Sequence, residues 1–201
     1  MQTKSIGIYV YDNAEVLDFS GPFEVFTTAT RVANIDGMTN APFNTCLISE
    51  HGNIVTARAG YQVVSQYSID DHPPLDVLIV VGGVHDDEMN KPNVINWIAK
   101  QNELVGLIAS VCTGAFLLAQ AKIITNHNVT THWDDQADLK VKFPRLSVQE
   151  NIRWVDEGKI ITSGGISAGI DMSLYLVSRL ERLALANKTA RQMEFSWSKQ
   201  K

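Results

Sequence analysis

Cys112 is the residue of this chain whose neighbours best suit it to nucleophilic chemistry. It lies in Ser110-Val-Cys-Thr-Gly114, between the apolar run Leu104 to Val111 and the helix-forming run Gly114 to Gln120. Small residues two positions to either side of a cysteine fit a sharp strand-to-helix turn, the nucleophile elbow. Ser110 stands where the serine-hydrolase pattern has its first glycine, and Cys112 where it has serine. A sulfur at a helix N-terminus meets unpaired N–H groups and the positive end of the helix dipole. Its pKa is therefore expected below the ~8.5 of a free thiol. The other use of such a cysteine is as a small buried hydrophobe.

Three further places bear on the same chemistry. Asp18 falls where the chain passes from a first strand to a helix, and it serves there either as a helix cap or as an acid for the site. Gly82 and Gly83 follow an apolar strand, so their backbone N–H groups are free to approach a negative atom closely. His132 ends Val129-Thr-Thr-His, and beside Trp133 it reads as a packed or interface histidine before it reads as a proton carrier. The run His85-Asp-Asp-Glu88 has metal-type side chains, but adjacent residues on a loop give poor ligand geometry, and no metal site is expected. Asp134, Asp135 and Asp138 read as a solvated helix face, and Asp171 as a charge favouring a helix dipole.

The elements that must hold these residues alternate in type. Ile6 to Val10 is a short apolar strand. Ser20 as N-cap and Pro22 in a first turn predict a helix reaching about Val32. Phe43 to Ser49 is a second strand with Cys46 in its core. A hairpin is predicted around Arg58-Ala-Gly60, and Leu75 to Val81 is a central strand. Pro92 to Gln101 is a helix returning to the strand that carries Cys112. Arg145 to Trp154 and Lys159 to Ser163 are strand candidates, followed by an amphipathic helix over Ser167 to Leu185 and a shorter one within Asn187 to Trp197. The pattern predicts an α/β three-layer sandwich with a mostly parallel sheet. Ligands of such sheets bind beyond the carboxyl ends of the strands, where Asp18, Gly82-Gly83, Cys112 and His132 all fall.

The chain has 201 residues, 45% hydrophobic, with 17 basic and 22 acidic side chains, a formal charge of −5 and two cysteines. That length suits one domain with a core of its own. No basic cluster suggests a nucleic-acid surface, and no apolar run reaches membrane-spanning length. Cys46 and Cys112 are too far apart in sequence for CxxC chemistry, and a reducing cytoplasm is the expected location.

Five stretches resemble the ThiJ/PfpI superfamily, also called class I glutamine amidotransferase-like. They are Leu17-Asp-Phe-Ser-Gly-Pro-Phe-Glu-Val-Phe26, Val80-Val-Gly-Gly83, Ser110-Val-Cys-Thr-Gly-Ala115, Thr130-Thr-His-Trp133 and Gly164-Gly-Ile-Ser-Ala-Gly-Ile-Asp171. The likeness covers residues 1–201 as a single domain. It is similar in detail to isocyanide hydratases and to the ligand-sensing domains of AraC-type regulators. The regulators carry a helix-turn-helix region with no counterpart here, which directs the expectation to the hydratases. The resemblance implies a flavodoxin-like fold, a homodimer, a small-molecule substrate and no cofactor. It also implies Cys112 as nucleophile and Asp18 as acid/base, with Thr113, Gly82 and Gly83 bordering the pocket. The alternatives it leaves are a cysteine redox or metabolite sensor and a glyoxalase-like carbonyl enzyme. Superfamily peptidases have histidine after the cysteine, where this chain has Thr113. Val81 replaces a usual proline, and Val84 to Glu88 a small-residue loop.

Overall fold

The computed structural model describes residues 2–199. Its first strand, β1 (Lys4–Tyr9), leads through Val10 to Ala14 into helix α1 (Val16–Ile35). Strand β2 (Phe43–Ser49) is followed by the hairpin of β3 (Ile54–Thr56) and β4 (Gln62–Val64), then by the short β5 (Tyr67–Ser68) and by β6 (Val77–Val80). Helices α2 (Asp86–Met89) and α3 (Pro92–Leu104) precede β7 (Leu107–Val111) and α4 (Gly114–Gln120). Beyond them come β8 (Asn128–Val129), α5 (Gln136–Lys142), β9 (Ser147–Val148), β10 (Trp154–Glu157), β11 (Ile160–Ser163), α6 (Ala168–Leu180) and α7 (Leu183–Gln192).

Seven strands form one sheet in the order β10-β11-β7-β6-β1-β2-β5. Every neighbouring pair is parallel except the β10/β11 hairpin. Central strands β6 and β7 are buried along their whole length, so they read as unbroken apolar runs rather than as an alternation. Helices α1, α6 and α7 pack on one another, while α3 and α4 form a second group with α2. The predicted α/β sandwich with a mostly parallel sheet is what forms. Strand order reverses about β1, with β6 on one side and β2 on the other, which opens a crevice at the carboxyl ends of the strands. Among the described residues no helix is long and apolar enough to cross a membrane.

Several boundaries differ from the sequence reading. Helix α1 starts at Val16, with Glu15 at the capping position, so Pro22 sits inside it rather than in its first turn. Burial of one face of this helix outweighs the missing N–H of proline. Ser20 is no cap, and its hydroxyl bonds back to Val16 O at 2.8 Å. Within Arg145 to Trp154 only Ser147–Val148 and the last residue are extended, and the strand that opens at Trp154 runs on to Glu157. The helix predicted over Ser167 to Leu185 stops at Leu180 and the shorter one expected within Asn187 to Trp197 already starts at Leu183, because Glu181 (φ −122°, ψ −88°) and Arg182 (φ −163°, ψ 148°) leave helical geometry. Cys46 is buried in β2, as expected, and burial pushes its thiol up to about 11.

Candidate active site

The turn after β7 is tight because three backbones meet there. Cys112 has φ 55°, a left-handed conformation that a non-glycine residue adopts at a cost. Its N–H is shared between Ser163 O and Gly164 O, both at 3.2 Å, which fastens the elbow to the end of β11. Its carbonyl accepts the Thr131 hydroxyl at 2.7 Å. At Gly114 a side-chain carbon would stand 2.2 Å from Val80 O, and at Gly82 one would stand 2.5 Å from Thr113 N. Both glycines are therefore required by the approach of the β6 and β7 turns to each other. The strand-to-helix turn read from Ser110 to Gly114 is present.

Asp18 comes from the first turn of α1, three residues into the helix rather than on the connection before it. It is fully buried. Its Oδ2 accepts Gly82 N–H at 3.1 Å and its Oδ1 accepts Ile166 N–H at 3.0 Å. Ile166 is itself left-handed at φ 55°, unusual for a β-branched residue, and that geometry aims its N–H at the carboxylate. Desolvation raises the Asp18 carboxyl from 3.8 to about 7 against the lowering effect of these two N–H groups, and its hydrogen bond with Cys112 opposes the rise as well. The Cys112 thiol is 7% exposed. Burial first and the Asp18 charge second push it well above the ordinary thiol value, although Thr113 N–H favours the thiolate. The expectation of an acidified thiol is thus corrected: desolvation and a facing carboxylate outweigh the short helix α4.

The N–H groups of Gly82 and Gly83 have partners within the protein. Both lie in the site, but Gly82 N–H is engaged by Asp18, and Gly83 N–H donates to Thr113 Oγ1 at 2.9 Å. Thr113 Oγ1 in turn donates to Gly83 O at 2.9 Å. These bonds tie the acid and the elbow to the chain that follows β6.

His132 faces the site. A side-chain carbon on Gly165 would lie 2.2 Å from His132 Cδ2 and 3.2 Å from Cys112 Sγ, so the ring and the sulfur crowd one glycine. Nδ1 of His132 pairs with Asp135 Oδ2 at 3.3 Å, so Asp135 is no freely solvated charge. A cleft of about 730 Å³ borders the site through His132, Gly165 and Ile166, with Trp133 and Arg153 among its other walls. Asp171 is buried and structural, its Oδ2 taking Arg153 Nη2 at 2.5 Å and its Oδ1 taking Ser198 N–H at 2.8 Å. Of the His85 to Glu88 run, Glu88 turns inward to the Tyr9 hydroxyl and to Lys91 Nζ at 2.9 Å. The Ile166 N–H and the Thr131 hydroxyl were missed. Thr131 and Ile166 lie within Thr130 to Trp133 and Gly164 to Asp171, but the backbone donor of Ile166 leaves no signature in side-chain identities, and a threonine hydroxyl does not announce its partner.

Fold and site together define an α/β protein with a cysteine at a strand-to-helix elbow facing a buried carboxyl. Residues 4–179 match the DJ-1/PfpI family, and the chain belongs to that family. It is similar to the isonitrile hydratase of Pseudomonas putida, 28% identical over 192 residues, which are 95% of this chain and 78% of that one. It is 27% identical over 176 residues to the HTH-type transcriptional regulator GbdR of Pseudomonas aeruginosa, covering 88% of this chain but 46% of the regulator. The crystal structure of a ThiJ/PfpI family protein from Pseudomonas syringae superposes with a TM-score of 0.85 at 23% identity, covering 99% of this chain and 78% of that one.

Proposed function

We propose that this chain adds water to an isonitrile, or to a similarly small electrophile, and gives an N-substituted formamide through Cys112 and Asp18. The observation that carries the reading is the buried Asp18–Cys112 contact, in which the carboxylate raises the thiol while the carboxyl itself sits at about 7. Near neutrality its reactive form is a carboxylate beside a thiol. As sulfur adds to the terminal carbon of R–NC, Asp18 takes the thiol proton and delivers it to that carbon. An S–C bond forms and the C≡N bond becomes C=N. Asp18, again a carboxylate, then takes a proton from the water that attacks the same carbon and passes it to nitrogen. When the C–S bond breaks, the new hydroxyl becomes C=O and its proton returns to sulfur. R–NC and H₂O have become R–NH–CHO.

Formamide formation from a model isonitrile tests this. Cys112→Ala and Asp18→Ala are each expected to abolish it, and full activity in either variant overturns the mechanism. In the wild type, kcat/KM should rise with pH through about 7 as Asp18 ionises, then hold level until the thiol itself begins to ionise. A small-molecule substrate, action without a cofactor or nucleic acid, and a homodimer complete the reading. Light scattering at twice the chain mass is the expected result for the dimer. The likeness to a regulator supports one other reading, a pocket that binds a metabolite without turnover. A ligand-induced rise in Tm without formamide would favour it.

A further inference from the structure

Among the described residues four buried side-chain atoms make no hydrogen bond: Tyr11 Oη, Thr45 Oγ1, Asn102 Oδ1 and Ser110 Oγ. A buried polar group left unmatched is a net cost to the fold, so its persistence asks for a reason. Tyr11 follows β1, is 3% exposed and stacks on Tyr9 at 6.1 Å between ring centroids. Glu88, Asp18 and Cys112 are the charged or ionisable groups that act on its hydroxyl, and the Thr113 hydroxyl comes within weak hydrogen-bonding reach of it.

Each of those oxygens already has partners. Glu88 accepts from Tyr9 and Lys91. Asp18 accepts from Gly82 and Ile166. Thr113 Oγ1 both gives a hydrogen to Gly83 and takes one from it. The two N–H groups that the glycine pair contributes are engaged as well, so neither can answer negative charge forming on a molecule bound to Cys112. The Tyr11 O–H makes no well-formed hydrogen bond in this neighbourhood, because the Thr113 hydroxyl that approaches it is committed to Gly83. Burial and the nearby carboxylates keep its proton in place at any physiological pH.

We propose that Tyr11 is a catalytic residue whose hydroxyl hydrogen-bonds the substrate nitrogen while the substrate carbon is attached to the Cys112 sulfur. This rests on the hydration reading above. As the water oxygen bonds the thioimidate carbon, the C=N electron pair moves onto nitrogen. The Tyr11 hydrogen bond then meets growing charge, while the proton that nitrogen gains still comes from water through Asp18. The phenol keeps its own hydrogen throughout. A donor that strengthens its bond only as charge develops lowers the barrier without tightening substrate binding.

Tyr11→Phe removes the hydroxyl and little else, which separates the two roles that hydroxyl can have. Expected are a loss in kcat on the order of a hundredfold with KM little changed and a Tm higher by about 2–4 °C, because a desolvated group without a partner has gone. Alkylation of Cys112 by iodoacetamide should keep its wild-type rate, since the hydroxyl acts on the bound carbon's nitrogen and not on the free thiol. A variant with unchanged kcat overturns the assignment, as does one whose Tm falls, which would make the hydroxyl a structural group. A wild-type chain that forms no formamide removes the hydration reading and this assignment together. Wild-type turnover beside an equally active Tyr11→Phe removes the assignment alone.

Discussion

A charge at an exposed helix terminus gains about 0.3–1 kcal/mol from the dipole, whereas full burial moves a titratable group by up to ~3–5 pKa units the other way. Cys112 feels both, and burial prevails because α4 is only seven residues long while the thiol is nearly enclosed. The Asp18 carboxylate adds to the rise. Asp18→Asn takes that second cause away, so the pH at which Cys112 becomes half-reactive toward iodoacetamide should fall below the wild-type value. An unchanged or higher midpoint would show that the acid and the sulfur do not sense each other. His132 shows how little a residue's chain neighbours say about what it faces. Its sequence setting beside Trp133 favours packing, and only the shared contact with Gly165 shows it bordering the sulfur.

At the scale of elements, the site exists because the ends of β6, β7 and β11 come within backbone contact of one another. The elbow glycines express this constraint most sharply. A methyl at Gly114 meets the Val80 carbonyl oxygen at 2.2 Å, and no side-chain rotation relieves a clash with backbone. Gly114→Ala should therefore destabilise the fold by about 1–3 kcal/mol or more through forced separation of α4 from β6. Urea unfolding reads the loss directly. A midpoint equal to that of the wild type would mean that the two turns are not held so closely. Helix α1 shows the same dominance of packing over local preference. A proline at its seventh position is tolerated because the buried face, including Asp18, Phe19, Val25 and Phe26, fixes the helix from outside.

For the whole molecule the buried acid is a pH-dependent load on stability. Asp18 keeps its proton up to about 7 in the folded chain and releases it near 3.8 when unfolded. Its contribution is complete below about pH 4, declines as pH rises toward 7 and is flat beyond; the gap between those two values corresponds to about 4 kcal/mol. Asn in its place carries no such load, but its amide can accept only one of the two N–H groups from Gly82 and Ile166, a loss of ~1–3 kcal/mol. The stability curves of wild type and Asp18→Asn should therefore cross, with the wild type ahead near pH 4 and the variant ahead near pH 8. Denaturation across that range checks it, and parallel curves would show that Asp18 ionises in the fold as it does in water.

The sequence by itself determined the class of fold, the elbow and the pair of residues at its centre. Apolar strand runs, helix formers and the spacing of Ser110, Cys112 and Gly114 are local signals, and local signals survive without coordinates. Local signals placed Asp18 where the first strand passes to a helix, and the resemblance of Leu17 to Phe26 to the family implied its role as the acid. What only the tertiary structure decided is how those residues behave. The thiol is raised and not lowered, the glycine N–H groups are engaged, Tyr11 is left without a well-formed hydrogen bond and His132 comes to the mouth of the site. Each of these depends on what an element distant in the chain places beside it. Desolvation and hydrogen-bond partnership are properties of a filled neighbourhood, and the order of residues along one strand does not say which neighbours will fill it.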